Sequence, residues 1–326
     1  MRVGLLGLGR IGAFHAATLS GHPLVDELIV TDADTERAKE VAARAGARVG
    51  DAFEADAVVI ATPTSSHAGL LTRASALGLP AFCEKPVAPG VAETVRVMEA
   101  VERSGTLAHI GFQRRFDRGY RAARDALRAG ELGELHRAHL VTADPLPPAA
   151  DYVPGSGGIF RDCHIHDFDI LRWVTGREVE TVYATGANRG APFFADAGDV
   201  DNSAALLTLD DGTLVTLQGS RYNGAGYDVR MELAGTLRTQ VAGLDERVPL
   251  TGVEGFRSPG EPWPDFVTRF HAAYTAELDA FLRASQGKGE SPCPVRDALA
   301  ALLVAEAAEL SRREGGPVRV AKVVRG

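Results

Sequence analysis

The stretch RVGLLGLGRIGAFHAATLS, residues 2–20, decides the fold of this chain. It opens with an apolar run, Val3–Leu6, that predicts a buried strand, and a helical pattern follows over Ile11–Leu19. Between them the glycines of Gly7–Gly12 permit a tight turn, close approach of a pyrophosphate, and close packing of helix on strand. A helix N-terminus also offers N–H groups and partial positive charge to phosphates. The stretch therefore predicts a dinucleotide-binding unit.

The rest of the first third alternates short apolar runs with helical patterns. Further strands are predicted at Glu27–Thr31, Ala57–Ala61, Ala81–Glu84 and Leu107–Phe112, and helices at Thr35–Ala45, His67–Leu77 and Ala92–Ser104. Strands this apolar, separated by helices, are typical of a parallel sheet covered on both faces. We therefore predict an α/β fold in which residues 1–119 form a doubly wound Rossmann domain.

After a helical segment at Gly119–Ala129, the pattern changes to alternating polarity, which is typical of antiparallel strands packed on one face. Such strands are predicted at Glu134–Thr142, Glu178–Gly186, Ser203–Leu209, Thr213–Ser220 and Tyr227–Ala234, with Asp211–Gly212 as a two-residue hairpin turn. Two helices, Asp265–Ser285 and Val295–Glu314, close the chain. Residues 120–326 are thus expected to form an α+β domain with an open, mainly antiparallel sheet, whose C-terminal helix can return to the first domain.

Composition excludes several function classes. The chain has 35 Lys and Arg against 43 Asp and Glu, and its net charge of −8 gives no electrostatic footprint for nucleic acid. Cys83, Cys163 and Cys293 are few and scattered, which fits a reducing compartment rather than a disulfide framework. No apolar run approaches the roughly 20 residues of a membrane helix, and the immediate first strand leaves no room for a signal peptide. We expect a cytoplasmic protein with no nucleic-acid or membrane partner.

Asp32 ends the second predicted strand, about 20 residues after Gly12. A carboxylate there accepts hydrogen bonds from the adenosine ribose and repels a 2′-phosphate, so NAD is expected rather than NADP. The alternative is that Asp32 only caps the following helix. Arg37 is a nearby cation that can accommodate an extra phosphate, which weakens the preference.

Two segments carry residues that a dinucleotide domain alone does not need. Cys83-Glu84-Lys85-Pro86 ends a strand, at the edge where ligands bind in such sheets. The other segment runs from Gly157 to Asp169. If it is helical from about residue 162, then Asp162, His166 and Asp169 share one face.

This set of residues suits the oxidation of an alcohol by a nicotinamide, which removes a proton from oxygen and a hydride from carbon. A histidine, with a reference pKa of about 6.5, suits the proton step, and a neighbouring carboxylate fixes its ring. A lysine ammonium orients the hydroxyl and stabilises developing alkoxide charge. His166, Asp162 and Lys85 are therefore the candidate catalytic residues.

Each candidate has a structural alternative. Lys85 can be a surface lysine, and Asp162 and His166 can form a purely structural hydrogen bond. Asp162, Cys163, His164 and His166 superficially suggest a metal site, but consecutive helical positions point in different directions, so no metal is expected. Cys83 and Cys163 are better explained as packing residues than as reactive thiols. Asp169 is either a substrate contact or a ligand to the neighbouring sheet.

The motifs resemble the Gfo/Idh/MocA oxidoreductases, and most of all their inositol 2-dehydrogenase branch. The resemblance runs nearly end to end through the glycine turn at 7–12, ATP at 61–63 with His67, EKP at 84–86, GFQRRFD at 111–117, residues 162–169, GYD at 226–228 and RFHAAY at 269–274. It implies that Lys85, Asp162 and His166 carry the chemistry, with His166 as the base. It also implies that the bond before Pro86 can be cis.

The same resemblance implies the cofactor contacts and the assembly. The cofactor residues would be Gly7, Gly9, Arg10, Ile11, Gly12, Asp32, Arg37, Thr62, Pro63, His67, Glu84 and Lys85, with Thr62, Pro63 and Glu84 along the nicotinamide half. The free face of the second sheet would form the interface of a homo-oligomer, a dimer or a tetramer.

The substrate pocket departs from the inositol branch, where the strand before the proline-rich loop usually presents a histidine and an asparagine. Here that stretch is Thr142-Ala143-Asp144-Pro145, Cys163 replaces a threonine, and Gln113 replaces an apolar residue, whereas Tyr227 matches a substrate-lining tyrosine. Gln113, Asp144, Cys163 and Tyr227 are the expected substrate contacts.

Three functions remain open at this point. The first is NAD-dependent dehydrogenation of a cyclitol or sugar. The second is a sugar oxidoreductase that keeps its NAD(P) tightly bound, which a nicotinamide absorbance in protein purified without added cofactor would favour. The third is a non-catalytic dinucleotide-binding regulator, and the complete set of Lys85, Asp162 and His166 argues against it. The first depends on those three groups meeting around one C–OH beside the nicotinamide.

Overall fold

The computed structural model describes residues 1–287 and 290–323. The chain forms two compact units, and neither is one continuous segment. The first unit combines Met1–Gln113 with Tyr274–Ala300, and the second combines Arg114–Ala273 with the residues from Ala301 onward. A single cut near residue 119 therefore does not describe this division, because the segment 274–300 belongs to the first unit.

A six-stranded parallel sheet forms the centre of the first unit. Its strands are β1 (Arg2–Leu6), β2 (Glu27–Thr31), β3 (Arg48–Val49), β4 (Ala57–Ile60), β5 (Ala81–Glu84) and β6 (Ala108–Gly111), in the order β3-β2-β1-β4-β5-β6. The helices between them are α1 (Arg10–Ser20), α2 (Thr35–Ala45), α3 (Thr64–Ala76) and α4 (Val91–Ser104). This order is that of a doubly wound sheet, and the predicted Rossmann fold is confirmed.

The apolar character of the strands explains the sheet. Residues 3–6 of β1 and all of β4 are buried, so neither face of these central strands meets water. Their side chains join those of α1 and α2 in one core, to which Leu278, Phe281 and Leu282 from the later segment also belong. The short β3 is not among the predicted strands, because its two residues are exposed and give no apolar run.

A mixed seven-stranded sheet forms the second unit. Its strands are β7 (Leu135–Ala143), β8 (Val179–Ala187), β9 (Asn202–Leu209), β10 (Leu214–Ser220), β11 (Asp228–Gly235), β12 (Thr239–Ala242) and β13 (Val318–Arg319), in the order β12-β11-β7-β10-β9-β8-β13. The sheet is mainly antiparallel, as predicted, but β7 and β10 pair in parallel, from Leu214 beside Arg137 to Ser220 beside Ala143. This parallel pair places the carboxyl ends of two strands side by side.

The remaining helices differ in part from prediction. They are α5 (Arg118–Arg128), α6 (Val153–Ser156), α7 (Ile159–Asp162), α8 (Ile165–Thr175), α9 (Phe193–Asp196), α10 (Phe266–Arg269), α11 (His271–Ser285), α12 (Val295–Glu314) and α13 (Val320–Val323). The single helix predicted over 265–285 is two, because α10 ends before Phe270. Among the described residues, no helix has the length and apolarity to cross a membrane.

Two local predictions are wrong. The segment from residue 162 is not one helix, because α7 ends at Asp162 and α8 begins only at Ile165. Asp162, His166 and Asp169 therefore do not lie along one helical face. The turn around Asp211–Gly212 is a three-residue loop rather than a two-residue one, since Leu209 still bonds Thr213 and only Gly212 has a positive φ, of 88°.

Candidate functional site

The three glycines of the turn have different surroundings in the structure. Gly7 has a φ of +87°, and a Cβ there would lie 2.6 Å from the backbone of Ala61 and Thr62. A Cβ on Gly12 would collide with the Gly7 carbonyl oxygen, so helix and strand could not pack as they do. A Cβ on Gly9 would meet nothing within 4 Å. Gly7 and Gly12 are therefore required by the fold itself, whereas Gly9 borders open space.

Asp32 closes this turn. Its Oδ2 accepts a 2.7 Å hydrogen bond from the Leu8 N–H, and its Oδ1 accepts one from the Asp34 N–H at 2.8 Å. The cap of α2 is Asp34, whose side chain accepts from the N–H groups of Glu36 and Arg37. The alternative that Asp32 only caps this helix is therefore wrong. Arg37, about half exposed, has its Nη1 3.5 Å from Asp32 Oδ1.

These features fit a dinucleotide. Gly9 stands at the N-cap of α1, where it supplies no capping side chain and leaves space beside the helix end. Phosphate oxygens suit such a helix N-terminus, and a carboxylate at the end of the neighbouring strand suits ribose hydroxyls. Gly9 and the first turn of α1, with Arg10, Ile11 and Gly12, would hold the phosphates, and Asp32 would hold the ribose.

The end of β5 is built by buried contacts. Glu84 Oε1 lies 2.7 Å from Nε2 of the fully buried His15 on α1, a residue that the sequence analysis did not single out. The Lys85–Pro86 bond is cis, as the resemblance implied. The Lys85 side chain is partly buried. The strand end that carries Lys85 is thus tied to the helix that follows the glycine turn.

His67 braces this region rather than offering a nitrogen to a ligand. The residue is 1% exposed, and its ring nitrogens each lie 2.7 Å from a carbonyl oxygen, Nδ1 from that of Pro86 and Nε2 from that of Thr62. Thr62 also accepts a 2.6 Å hydrogen bond from the Ser66 hydroxyl. Because both ring nitrogens are engaged, His67 acts in the structure by holding Thr62 and Pro86.

In the second unit, Asp162 belongs to a polar cluster. The Tyr152 hydroxyl donates to Asp162 Oδ1 at 2.8 Å, and Arg221 Nη2 donates to Asp162 Oδ2 at 2.7 Å. Arg221 Nη1 donates to Asp144 Oδ2 at 3.2 Å, and the Cys163 thiol donates to the same oxygen at 3.7 Å. The structure therefore brings together three predicted residues, Asp144, Asp162 and Cys163, and adds Tyr152 and Arg221, which the sequence analysis missed.

The parallel pairing of β7 and β10 explains why Arg221 reaches this cluster. Asp144 follows β7 and Arg221 follows β10, and the Asp144 N–H donates to the Ser220 carbonyl at 2.9 Å. If β7 and β10 were antiparallel, their carboxyl ends would lie at opposite edges of the sheet. The signal that could have found Arg221 is a cation directly after a strand, at the edge of a sheet where ligands bind.

Burial shapes the acidity of the cluster. It raises the pKa of the Asp144 carboxyl, although the Arg221 charge opposes the rise. It also raises the pKa of Tyr152, and the negative charge of Asp162 adds to that effect. Burial alone would lower the pKa of Arg221, but the attraction of the Asp162 and Asp144 carboxylates outweighs this effect, so the pKa lies well above its ordinary value. Arg221 is therefore a permanent cation in this cluster.

His164 and His166 have different surroundings. His166 is partly buried in the first turn of α8. His164 is fully buried, with Nδ1 2.7 Å from Asp167 Oδ2 and Nε2 2.7 Å from the Ser203 hydroxyl. Burial would raise the pKa of Asp167, but the Arg114 guanidinium, bonded at 2.5 Å, helps lower it to about 2. His164 thus belongs to a charge-compensated structural network.

Asp169, whose role the sequence left open, makes a buried ion pair. Arg115 donates to it through Nε at 2.8 Å and Nη2 at 2.5 Å, and both side chains are about 2% exposed or less. Arg115 precedes α5 and Asp169 lies within α8, and these two helices pack together. The pair therefore joins α8 to the segment that leads into α5, which assigns Asp169 a structural role.

The two remaining substrate candidates are both buried. Tyr227 is 6% exposed and packs edge-on against Phe270, and burial raises the pKa of its hydroxyl. Gln113 is 3% exposed, and among the residues that the structure describes its Oε1 has no hydrogen-bond partner. An unpaired buried amide oxygen is costly, which fits a residue that completes its hydrogen bonding with a ligand.

Within the described ranges, one group of side chains could converge on a metal ion, namely His109, Glu277 and Cys293. It lies in the first unit and includes none of the four residues around 162–166 that the sequence analysis considered. All three side chains are fully buried.

The first unit is a Rossmann fold with a glycine turn and a carboxylate suited to a ribose, and the second unit has an open sheet. This combination is that of a dinucleotide-dependent oxidoreductase of two domains. Family profiles match both units. Residues 1–112 match "Oxidoreductase family, NAD-binding Rossmann fold", and residues 120–239 match "GFO/IDH/MocA C-terminal domain". The chain belongs to the GFO/IDH/MocA oxidoreductase family.

Named relatives span nearly the whole chain. It is 37% identical to an inositol 2-dehydrogenase of Rhizobium meliloti, over 98% of this chain and 99% of the relative. It is 35% identical to a scyllo-inositol 2-dehydrogenase (NAD(+)) of Bacillus subtilis, with 98% and 96% covered. A crystal structure of scyllo-inositol dehydrogenase from Lactobacillus casei with bound NAD(H) and scyllo-inositol is 27% identical, with a TM-score of 0.89 and 98% and 99% of the chains covered.

Proposed function

We propose that this protein is an NAD-dependent dehydrogenase that oxidises one secondary hydroxyl of a cyclitol, myo-inositol or a related inositol, or of a similar sugar, to the ketone. The observation that carries the proposal is end-to-end similarity to inositol dehydrogenases in a chain that contains Lys85, Asp162 and His166. The first domain would hold NAD and the second the polyol. NAD, when bound, accepts the hydride at nicotinamide C4.

The residues of this chain would manage the proton and the orientation of the substrate. His166 takes the proton from the reacting hydroxyl as general base, and the carbonyl forms as the hydride leaves the same carbon. Lys85 donates a hydrogen bond to that oxygen and stabilises its developing negative charge. Asp162 presents a fixed carboxylate to the polyol and to the base, while Asp144, Cys163, Gln113 and Tyr227 line the pocket.

Substitution of Lys85 and His166 tests the mechanism. Lys85→Ala and His166→Ala should each lower turnover on the best polyol by orders of magnitude, while NAD binding, measured by calorimetry, largely survives. Lys39→Ala and His136→Ala are matched controls, because both residues are exposed and lie outside the proposed site. Near-normal turnover in either test variant removes that residue from the mechanism.

A substrate panel tests the function itself. Inositols, inosamines and aldopyranoses are offered with NAD, and NADH formation is followed by absorbance. The proposal is supported if a cyclitol has the highest kcat/KM of the panel. Oxidation of none of these polyols at millimolar concentration, by protein that binds NAD, would reject it.

We also propose that the protein is a cytoplasmic homo-oligomer, a dimer or a tetramer, assembled through the free face of the second sheet. On that face Tyr183, Leu206 and Leu214 are each about half exposed, at 45%, 45% and 52%. Apolar side chains on an uncovered sheet are typical of an interface. Leu206→Lys should reduce the mass measured by light scattering to that of a smaller assembly, whereas Leu237→Lys, at an exposed loop position, should not.

A further inference from the structure

The Arg221 side chain has an unusual position for an arginine. It is 4% exposed, it comes from the segment that follows β10, and its two terminal nitrogens contact different carboxylates. Nη2 contacts Asp162, which carries the proposed chemistry, and Nη1 contacts Asp144, which lies in the proposed pocket. A planar guanidinium fixes the direction of each hydrogen bond that it donates, so one side chain sets the orientation of both carboxylates.

The second carboxylate oxygens face other groups. Asp162 Oδ1 accepts from the Tyr152 hydroxyl, so both oxygens of this carboxylate are held. Asp144 keeps 22% of its side chain exposed, and among the described residues its Oδ1 accepts no hydrogen bond. Asp144 therefore offers one oriented acceptor oxygen to solvent, while Arg221 holds the other.

The charges around Arg221 come from several elements. The groups that face it or its partners are Asp144 after β7, Tyr152 before α6, Asp162 and Cys163 at the end of α7, Tyr227 before β11, and the Arg114–Asp167 pair. The Arg114–Asp167 pair compensates itself. With both carboxyls ionised and the thiol neutral, the trio of Asp144, Asp162 and Arg221 carries one net negative charge, and Arg221 is its cation.

We propose that Arg221 is a positioning residue of the dehydrogenase reaction, which holds Asp162 ionised and oriented for the base and binds Asp144 as an oriented acceptor for the polyol. The inference rests on the proposed function of this site. Arg221 acts through the two carboxylates, since both of its terminal nitrogens are already engaged with them.

Loss of the cation has a definite electrostatic consequence. Without Arg221 the trio carries two negative charges, and nearby like charges favour protonated forms. Protonation of the base or of a carboxylate stops the reaction at low pH. The acid limb of the pH profile of kcat/KM therefore moves to higher pH, by about one unit or more, since an opposite charge at this distance typically shifts a carboxyl by one to three units.

The experiment varies the net charge of the trio. The net charge of the trio is −2 in Arg221→Gln and 0 in Asp144→Asn. The double variant Arg221→Gln/Asp144→Asn restores the wild-type net charge of −1. The expected order of the acid limb, from low to high pH, is Asp144→Asn, then wild type together with the double variant, then Arg221→Gln. Arg221→Lys keeps the charge without the fork, so its acid limb should stay at the wild-type position while kcat falls at least tenfold.

A matched control and folding measurements separate positioning from stability. Arg172→Gln removes a similarly buried arginine, 10% exposed, that forms two hydrogen bonds with Glu178 in the same unit. Its acid limb should match wild type even if its melting temperature falls. The proposal is overturned if the acid limb of the double variant lies at the same pH as that of Arg221→Gln or higher. It is also overturned if the acid limb of Arg221→Gln stays at the wild-type pH. Wild-type protein inactive on every polyol would instead reject the proposed function.

Discussion

The turn around Gly7 and the cluster around Arg221 each hold an aspartate, Asp32 after β2 and Asp162 at the end of α7, but they do so with different parts of the chain. Asp32 is held by backbone N–H groups, those of Leu8 and Asp34. Asp162 is held by side chains, the Arg221 guanidinium and the Tyr152 hydroxyl. A backbone donor is fixed by the path of the chain, so the first site fails when a substitution changes that path. A side-chain donor can be removed without moving the backbone, so the second site fails when a charge is lost.

The largest effect is expected from Gly7→Ala. Its Cβ would lie 2.6 Å from backbone atoms at a φ of +87°, where an L-residue is strained. We expect no measurable NAD binding by calorimetry and a lower melting temperature. Gly9→Ala is the matched control, because its Cβ meets nothing in the protein. This variant should keep the wild-type melting temperature. Its affinity for NAD should fall only through contact of the added methyl group with the pyrophosphate. If Gly7→Ala bound NAD and melted like the wild type, the conclusion that the backbone path at Gly7 holds this site would be wrong.

The next effect concerns a side-chain pair that supports the fold. Asp169→Asn removes the negative charge that pairs with the buried Arg115 guanidinium. Breaking one side of a buried ion pair typically costs about 3–5 kcal/mol. Chemical denaturation should show a loss in this range. The double variant Arg115→Met/Asp169→Leu should lose less, because it removes both charges. A loss below about 1 kcal/mol for Asp169→Asn, the range of exposed pairs, would show that the pair does not stabilise the contact between α8 and the segment before α5.

Local patterns were enough to predict five of the six strands of the first unit and the helices between them. Strands such as Val3–Leu6 are buried on both faces, so hydrophobicity alone marks them, and a glycine turn is recognised from residues that are consecutive in sequence. The break between α7 and α8 could not be predicted in this way, because both sides of it have helical patterns. The inclusion of 274–300 in the first unit could not be predicted either. It depends on Leu278 and Phe281 packing into a core whose other residues are distant in sequence.

The candidate site was predictable only in part, for the same reason. Lys85 stands out because it follows a predicted strand, and Asp162 because it begins a segment read as helical, whereas Asp144 was expected only from the family resemblance. Arg221 does not stand out, because its importance depends on the parallel pairing of β7 with β10, and alternating polarity does not reveal strand direction. His67 fits a cofactor motif in sequence, yet its two carbonyl partners become visible only when the backbone is folded.

A smaller effect should distinguish the roles of two neighbouring aspartates. Asp32→Ser removes the carboxylate that repels a 2′-phosphate, while its hydroxyl can still accept from Leu8. The ratio of kcat/KM for NAD over NADP should fall at least tenfold, which is about 1.4 kcal/mol. Asp34→Asn removes one negative charge two residues later but keeps an acceptor to cap α2. Its ratio should match wild type, and an equal fall in both variants would mean that only the general charge matters.

The smallest effect is expected from metal removal. Nε2 of His109 lies 3.6 Å from Oε1 of Glu277, and the ligand atoms of His109, Glu277 and Cys293 are all within 4.8 Å of one another. Structural zinc sites have four ligands, whereas the described residues supply three here. A buried histidine and glutamate can also balance one another without an ion, and the His109 ring stacks on Phe82 at 5.4 Å. Dialysis against a chelator should therefore leave turnover and melting temperature unchanged. Stoichiometric zinc in the purified protein, lost together with stability on chelation, would show that this cluster is a metal centre.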